Sequence, residues 1–138
     1  MAEPHHPSAE TASAQQPVLI VHDEPNVRRL LVQVLAQRGV THTSADSLAT
    51  ARFAMAEGGL RALITDLHLS DGSGLELLEA ARGRFGPALP MALVTADYLA
   101  DGRVLDRAAA LGALVHIGIL RTADLTALAA RLLGPEAR

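Results

Sequence analysis

The sequence contains no cysteine, which excludes disulfides and thiolate metal sites and permits a reducing compartment, so the cytoplasm is the default expectation. Arg, Asp or Gly interrupts every apolar stretch short of the roughly 20 residues that cross a bilayer, so a soluble protein without a membrane partner is expected. No long Lys/Arg block is present and the formal net charge is −3, which argues against nucleic acid or an anionic membrane as partner, because phosphate-rich surfaces require clustered cations. Nor does a Gly-rich phosphate cradle follow the first apolar run, which disfavours a nucleotide-binding enzyme.

What is there suffices for one domain. The 138 residues leave no room for a second, and an apolar fraction of 49% is ample for a single packed core. Residues 1–16 are rich in Pro, Ala, Ser, Gln and His, without apolar periodicity or a signal-peptide core, and read as a disordered tail in which His5 and His6 are solvated. The folded domain is expected over residues 17–134, followed by a short tail at 135–138.

From Pro17 onward, five β-type runs alternate with amphipathic helical segments, the pattern of a mostly parallel sheet with helices on both faces. The strands are expected at 18–21, 40–45, 60–65, 91–94 and 114–119. Pro25 opens the first helix, with Val27, Leu30, Leu31, Val34 and Leu35 on one face, and Ser47 caps the second. A third helix follows the turn-rich stretch 70–74. The fourth spans 101–111 with Val104, Leu105, Ala108 and Leu111 inward, and Thr122 caps the fifth. Right-handed crossovers, with the more polar second and fifth runs at the edges, favour a flavodoxin-like doubly wound α/β sheet of order 2-1-3-4-5.

That order brings Asp23, Asp66 and Thr95 from three neighbouring strands to the carboxyl edge of the sheet. A carboxylate can accept a phosphoryl group only if the negative charges are offset by a divalent cation and by further donors. Magnesium prefers oxygen ligands, so Asp23, Asp66 and one backbone carbonyl would form a sufficient shell, with the Thr95 hydroxyl free to contact a phosphoryl oxygen. Each residue also has an ordinary reading: Asp23 as a cap of the first helix, Asp66 as a turn former, Thr95 as a loop cap.

Taken together, the segments Val18-Leu-Ile-Val-His-Asp-Glu-Pro-Asn-Val-Arg-Arg-Leu-Leu31 and Asp66-Leu-His-Leu-Ser-Asp-Gly-Ser-Gly-Leu-Glu-Leu-Leu78 resemble the receiver domain of two-component response regulators, over essentially all of residues 17–133. The resemblance implies Asp66 as phosphoacceptor, Asp23 as a metal ligand, the His68 backbone carbonyl as a further ligand, and Thr95 as the switch hydroxyl beside Ala96. Magnesium is the implied cofactor, and a sensor histidine kinase or phosphotransfer protein the implied phosphodonor. The signal would pass to a downstream protein or a homodimer through the fourth helix, fifth strand and fifth helix.

Two departures from the family pattern stand out. His22 occupies the place of a second acidic residue, which removes one negative charge and predicts weak magnesium binding; an imidazole suits transition metals better, yet its ordinary reading is a polar strand-end residue. Ile119 occupies the place of a lysine, whose ammonium about 4 Å from a phosphoryl charge would contribute on the order of 4 kcal/mol before desolvation. Arg121 would share the side of Ile119 on an extended strand, although loop arginines are usually solvated. His116 falls at the family's aromatic switch position, and reads as a partly buried histidine with a satisfied hydrogen bond.

The expected function is that of a single-domain response regulator, phosphorylated on Asp66 and read out by protein contacts. A pseudo-receiver that docks partners without phosphorylation is the alternative, supported by His22 and Ile119. An aspartate-nucleophile phosphohydrolase would need a general acid two residues after Asp66, where His68 stands, so no enzyme is expected.

Overall fold

The structure, a computed structural model, describes residues 16–134. The tails expected at 1–16 and 135–138 lie, apart from Gln16, outside the described residues. Among these, no helix is long and apolar enough to cross a membrane.

Strands β1 (Val18–Val21), β3 (Ala62–Asp66) and β6 (Met91–Thr95) are buried at every position, as continuous apolar runs are when helices cover both faces of a parallel sheet. With β2 (His42–Ala45) and β7 (Ala113–Ile117) they form one parallel sheet of order β2-β1-β3-β6-β7. This is the expected 2-1-3-4-5 order; β4 (His68–Leu69) and β5 (Gly72–Ser73) are a small antiparallel hairpin inserted after β3. Alternate strand residues feed two cores. Leu19, Val21, Leu63 and Leu93 pack against α2 (Leu48–Ala56), α3 (Gly74–Phe85) and α4 (Gly102–Ala110), while Val18, Ile20, Ile64 and Val94 meet α1 (Pro25–Gln37) and α5 (Thr122–Leu133).

The helix starts follow local chemistry. Glu24 caps α1 by accepting from the Asn26 N–H at 2.8 Å, with Pro25 in the first turn. Ser47 and Thr50 form a capping box on α2, Ser73 and Glu76 another on α3, and Asp101 caps α4.

Several expected boundaries shift, each for a visible reason. The second strand begins at His42 because the Val40 N–H turns back to Leu35 O as part of the α1 terminus. Asp66 is the last residue of β3 rather than the first beyond it. The fifth strand stops at Ile117, since Gly118 takes φ 117° and donates to Thr95 O at 2.7 Å. Arg121, not Thr122, occupies the cap position of α5. Of the apolar residues expected inward on α4, only Ala108 is fully buried. That helix is tied to α3 at its C-terminal end, where Arg82 donates from Nε to Leu111 O at 2.8 Å and from one terminal nitrogen to Gly86 O and Leu89 O.

Candidate functional site

The sheet register sets the site. Val21 lies beside Thr65 and Asp66 beside Val94, so His22, Asp66 and Thr95 emerge together at the carboxyl edge. Asp66 and Thr95 are 8% and 2% exposed, and both line a cavity of about 320 Å³ with His22, Glu24, Val27, Val94, Ala96, Gly118, Ile119 and Leu120.

Asp23 is left free by the capping arrangement, because Glu24 does the capping that could have occupied it. Its carboxylate joins Asp66 and the His22 ring in a group whose donor atoms all lie within 4.8 Å of one another. Burial raises the Asp66 carboxyl above its ordinary value; the His22 ring and the His68 N–H oppose this, the Asp23 carboxylate adds to it, and the Leu67 N–H opposes it again.

The loop carrying Asp66 is built around a close approach. The Gly74 N–H donates to Leu67 O at 2.7 Å, and a Cβ on Gly74 would fall 2.0 Å from the Asp66 carbonyl oxygen, so only glycine fits. Asp71 accepts from the Leu48 and Ala49 N–H groups at 2.7 and 2.9 Å, hooking the hairpin onto the start of α2. Those two bonds hold its carboxyl below the ordinary range.

On the other strands, the Thr95 hydroxyl oxygen accepts from the Asp97 N–H at 3.0 Å, so its ordinary role as a loop cap is realised alongside its place on the cavity. Asp97 in turn meets the His68 ring at 2.9 Å and accepts from the Leu99 N–H. The His68 bond, followed by that of Leu99, lowers the Asp97 carboxyl. The His68 side chain thus turns away from Asp66, leaving only its backbone for the ligand role the sequence suggested. Asp97, the close approach of Gly74 to Asp66 and the capping role of Asp71 are not visible in the sequence; the Thr-x-Asp spacing and the Asp71-Gly-Ser-Gly turn are the available signals.

Ile119 stands 71% exposed at the mouth of the cavity, and the 12 Lys/Arg residues of the chain are all arginines. The rescue considered for Arg121 is not realised. The strand ends before it, and Arg121 is exposed at the α5 cap, where its backbone donates to Asp124, and does not line the cavity. His116 is half-buried, its ring 3.4 Å from Ile119 O.

The two carboxylates fit a divalent cation, whereas the imidazole beside them is a poor magnesium ligand. The doubly wound sheet thus brings a buried strand-end aspartate, a neighbouring acid and a threonine on the next strand to one edge, as in a receiver-type fold. Residues 18–118 match the response regulator receiver domain family, and the chain belongs to it. It is 36% identical to the response regulator protein PilR of Pseudomonas aeruginosa over 130 residues, covering 90% of this chain but only 28% of that protein. The fold matches the chemotaxis response regulator CheY4 of Vibrio cholerae with a TM-score of 0.74 at 19% identity, over 86% of this chain and 99% of that one. It also matches a Burkholderia pseudomallei response regulator, solved with a phosphorylated aspartic acid, a calcium ion and citrate, with a TM-score of 0.71 at 20% identity, over 85% of this chain and 66% of that one.

Proposed function

We propose that this receiver domain accepts a phosphoryl group on Asp66 from a sensor histidine kinase or phosphotransfer protein. The observation that carries the reading is the placement of Asp66: a buried carboxylate at the end of a central strand, beside Asp23 and on one cavity with Thr95. In the transfer, the N–P bond of a phosphohistidine breaks as a bond forms from an Asp66 carboxylate oxygen to phosphorus, and the imidazole leaves with the electron pair. Thr95 turns its hydroxyl from the Asp97 N–H toward a phosphoryl oxygen, which loosens the loop leading to α4.

Asp23, Asp66 and the His68 carbonyl are the residues that would hold a magnesium ion, weakly because His22 replaces an oxygen donor. Bound there, the ion would neutralise charge on the transferring group. The Burkholderia protein, with its phosphorylated aspartic acid and calcium ion, supports the pairing of acceptor and cation. Readout runs through α4, β7 and α5, to a protein target or a second copy of the domain, in the cytoplasm.

The competing pseudo-receiver reading rests on Ile119, which leaves the cavity without a strand-five cation. Incubation with a small acyl phosphate and magnesium, followed by intact mass, separates the two. A single added phosphoryl group, lost in Asp66→Asn, is the expected result; an unmodified mass under all conditions selects the docking module.

A further inference from the structure

The His22 residue is fixed at three points. Its N–H donates to Ala45 O at 3.1 Å, its carbonyl accepts from the Arg28 guanidinium at 2.7 Å, and its ring Nδ1 accepts from the Glu24 N–H at 3.1 Å. A peptide N–H can only donate, so Nδ1 presents its lone pair and the neutral ring carries its proton on Nε2. That N–H faces Asp66. Nε2 lies 3.5 Å from Asp66 Oδ2, outside the roughly 2.7–3.2 Å of a well-made bond, and no hydrogen-bond acceptor for it is found among the described residues. With its side chain 12% exposed, the ring offers this unfilled donor to the cavity it shares with Thr95 and Ile119.

We propose that His22 Nε2–H is the donor to the phosphoryl group on Asp66, taking over from the β1 side what Ile119 cannot supply from the β7 side, and lessening the dependence of transfer on a divalent cation. The inference rests on the reading of Asp66 as phosphoacceptor. As the bond from Asp66 to phosphorus forms and the bond from phosphorus to the donor's nitrogen or oxygen breaks, a terminal phosphoryl oxygen enters the gap and accepts from Nε2 at roughly 2.9 Å. His22 keeps its proton throughout. A donor held in place beforehand stabilises the developing charge without reorganising, which is where such groups contribute most. The same geometry disfavours the ring as a metal ligand: an ion on Nε2 would move the proton to Nδ1, against the Glu24 N–H.

The test is the rate of labelling by a small acyl phosphate, followed by intact mass, with magnesium and with chelator, in the wild type, His22→Ala and His22→Gln. The wild type should label in chelator, His22→Ala should slow that labelling by roughly tenfold or more, and His22→Gln, which retains an N–H, should recover part of it. Two-bond proton–nitrogen spectra should show the Nε2–H tautomer at rest, with its proton shifted downfield after phosphorylation. Equal chelator rates in wild type and His22→Ala, with an unmoved Nε2 proton, would overturn the inference while leaving Asp66 as acceptor. Tight zinc or cobalt binding by the wild type that His22→Gln abolishes would also overturn it, by making the ring a ligand. Absence of labelling in the wild type even with magnesium would remove the phosphoacceptor reading, and the inference with it.

Discussion

On one flank of the pocket, β1, β3 and the β4–β5 hairpin hold Asp66 between fully buried strands, a glycine that admits no side chain, and a loop hooked onto α2 by Asp71. On the other flank, β7 has one buried residue, α4 has one, and Tyr98, Leu99, Ile117 and Ile119 are exposed. Under the proposed function, the first flank would hold the acceptor and the second would carry the readout. The difference teaches that the strand end bearing Asp66 is held rigidly in place, whereas the strand end bearing Ile119 is loosely covered.

The largest expected effect lies on the tight flank. Asp66→Asn should abolish labelling while leaving the fold more stable. Burial raises the native carboxyl above its ordinary value of 3.8, so the native state binds the proton more tightly than the unfolded chain. Stability is therefore lost as pH rises from the ordinary value through the raised one. The melting temperature of Asp66→Asn relative to wild type should climb across that window and then level off, by a few degrees for about 1 kcal/mol in a domain of this size. A gap independent of pH would contradict the burial argument.

Next come two glycine substitutions that set the flanks against each other. Gly74→Ala forces a Cβ onto the Asp66 carbonyl and should cost about 2–3 kcal/mol in urea unfolding. Gly102→Ala, with nothing within 4 Å, should stay within about 0.5 kcal/mol of wild type. Similar costs at both positions would erase the contrast in packing.

A smaller effect is expected from repairing the loose flank. Ile119→Lys should raise the phosphorylation rate by several-fold up to about tenfold, equivalent to about 1.4 kcal/mol, and Thr95→Ala should lower it. The gain should be larger in a His22→Asp background, where the donor on the β1 side is gone and magnesium binds more tightly, because the two positions border one cavity. Strict additivity in rate measurements would show that they act separately.

The smallest effect concerns Asp71. Its carboxyl lies below the ordinary range because two N–H groups of α2 stabilise the charged form, so its contribution is fully present above the unfolded value and fades as pH falls through the native one. Asp71→Asn should melt below wild type at pH 7, with the gap closing below about pH 4.

The sheet order and the convergence of Asp23, Asp66 and Thr95 were legible because both follow from periodicity: buried parallel strands announce themselves as apolar runs, and the residue ending each run must lie at one edge. The end of the fifth strand was not. The run Leu114 to Ile119 looks continuous, yet a single glycine with a left-handed backbone breaks it and sends Arg121 away from the cavity. The inward face expected on α4 does pack on the core, with Ala108 fully buried and Val104, Leu105 and Leu111 half-buried against it. Tertiary capping by Asp71 and the bond from His68 to Asp97 join residues 23 and 29 positions apart, beyond the reach of local pattern.

The attachment of α4 has a mechanical consequence. Its C-terminal half is tethered to α3 twice, by Arg82 reaching Leu111 O and by Arg107 reaching Glu79, whereas the capping carboxylate of Asp101 at its other end bonds only within its own first turn. A rod pinned at one end swings rather than slides. Were the loop from Thr95 to Leu99 displaced, the end of α4 that Arg82 and Arg107 do not tether would move most, with Arg82 as the fulcrum and the apolar contacts of Val104 and Leu105 giving way first.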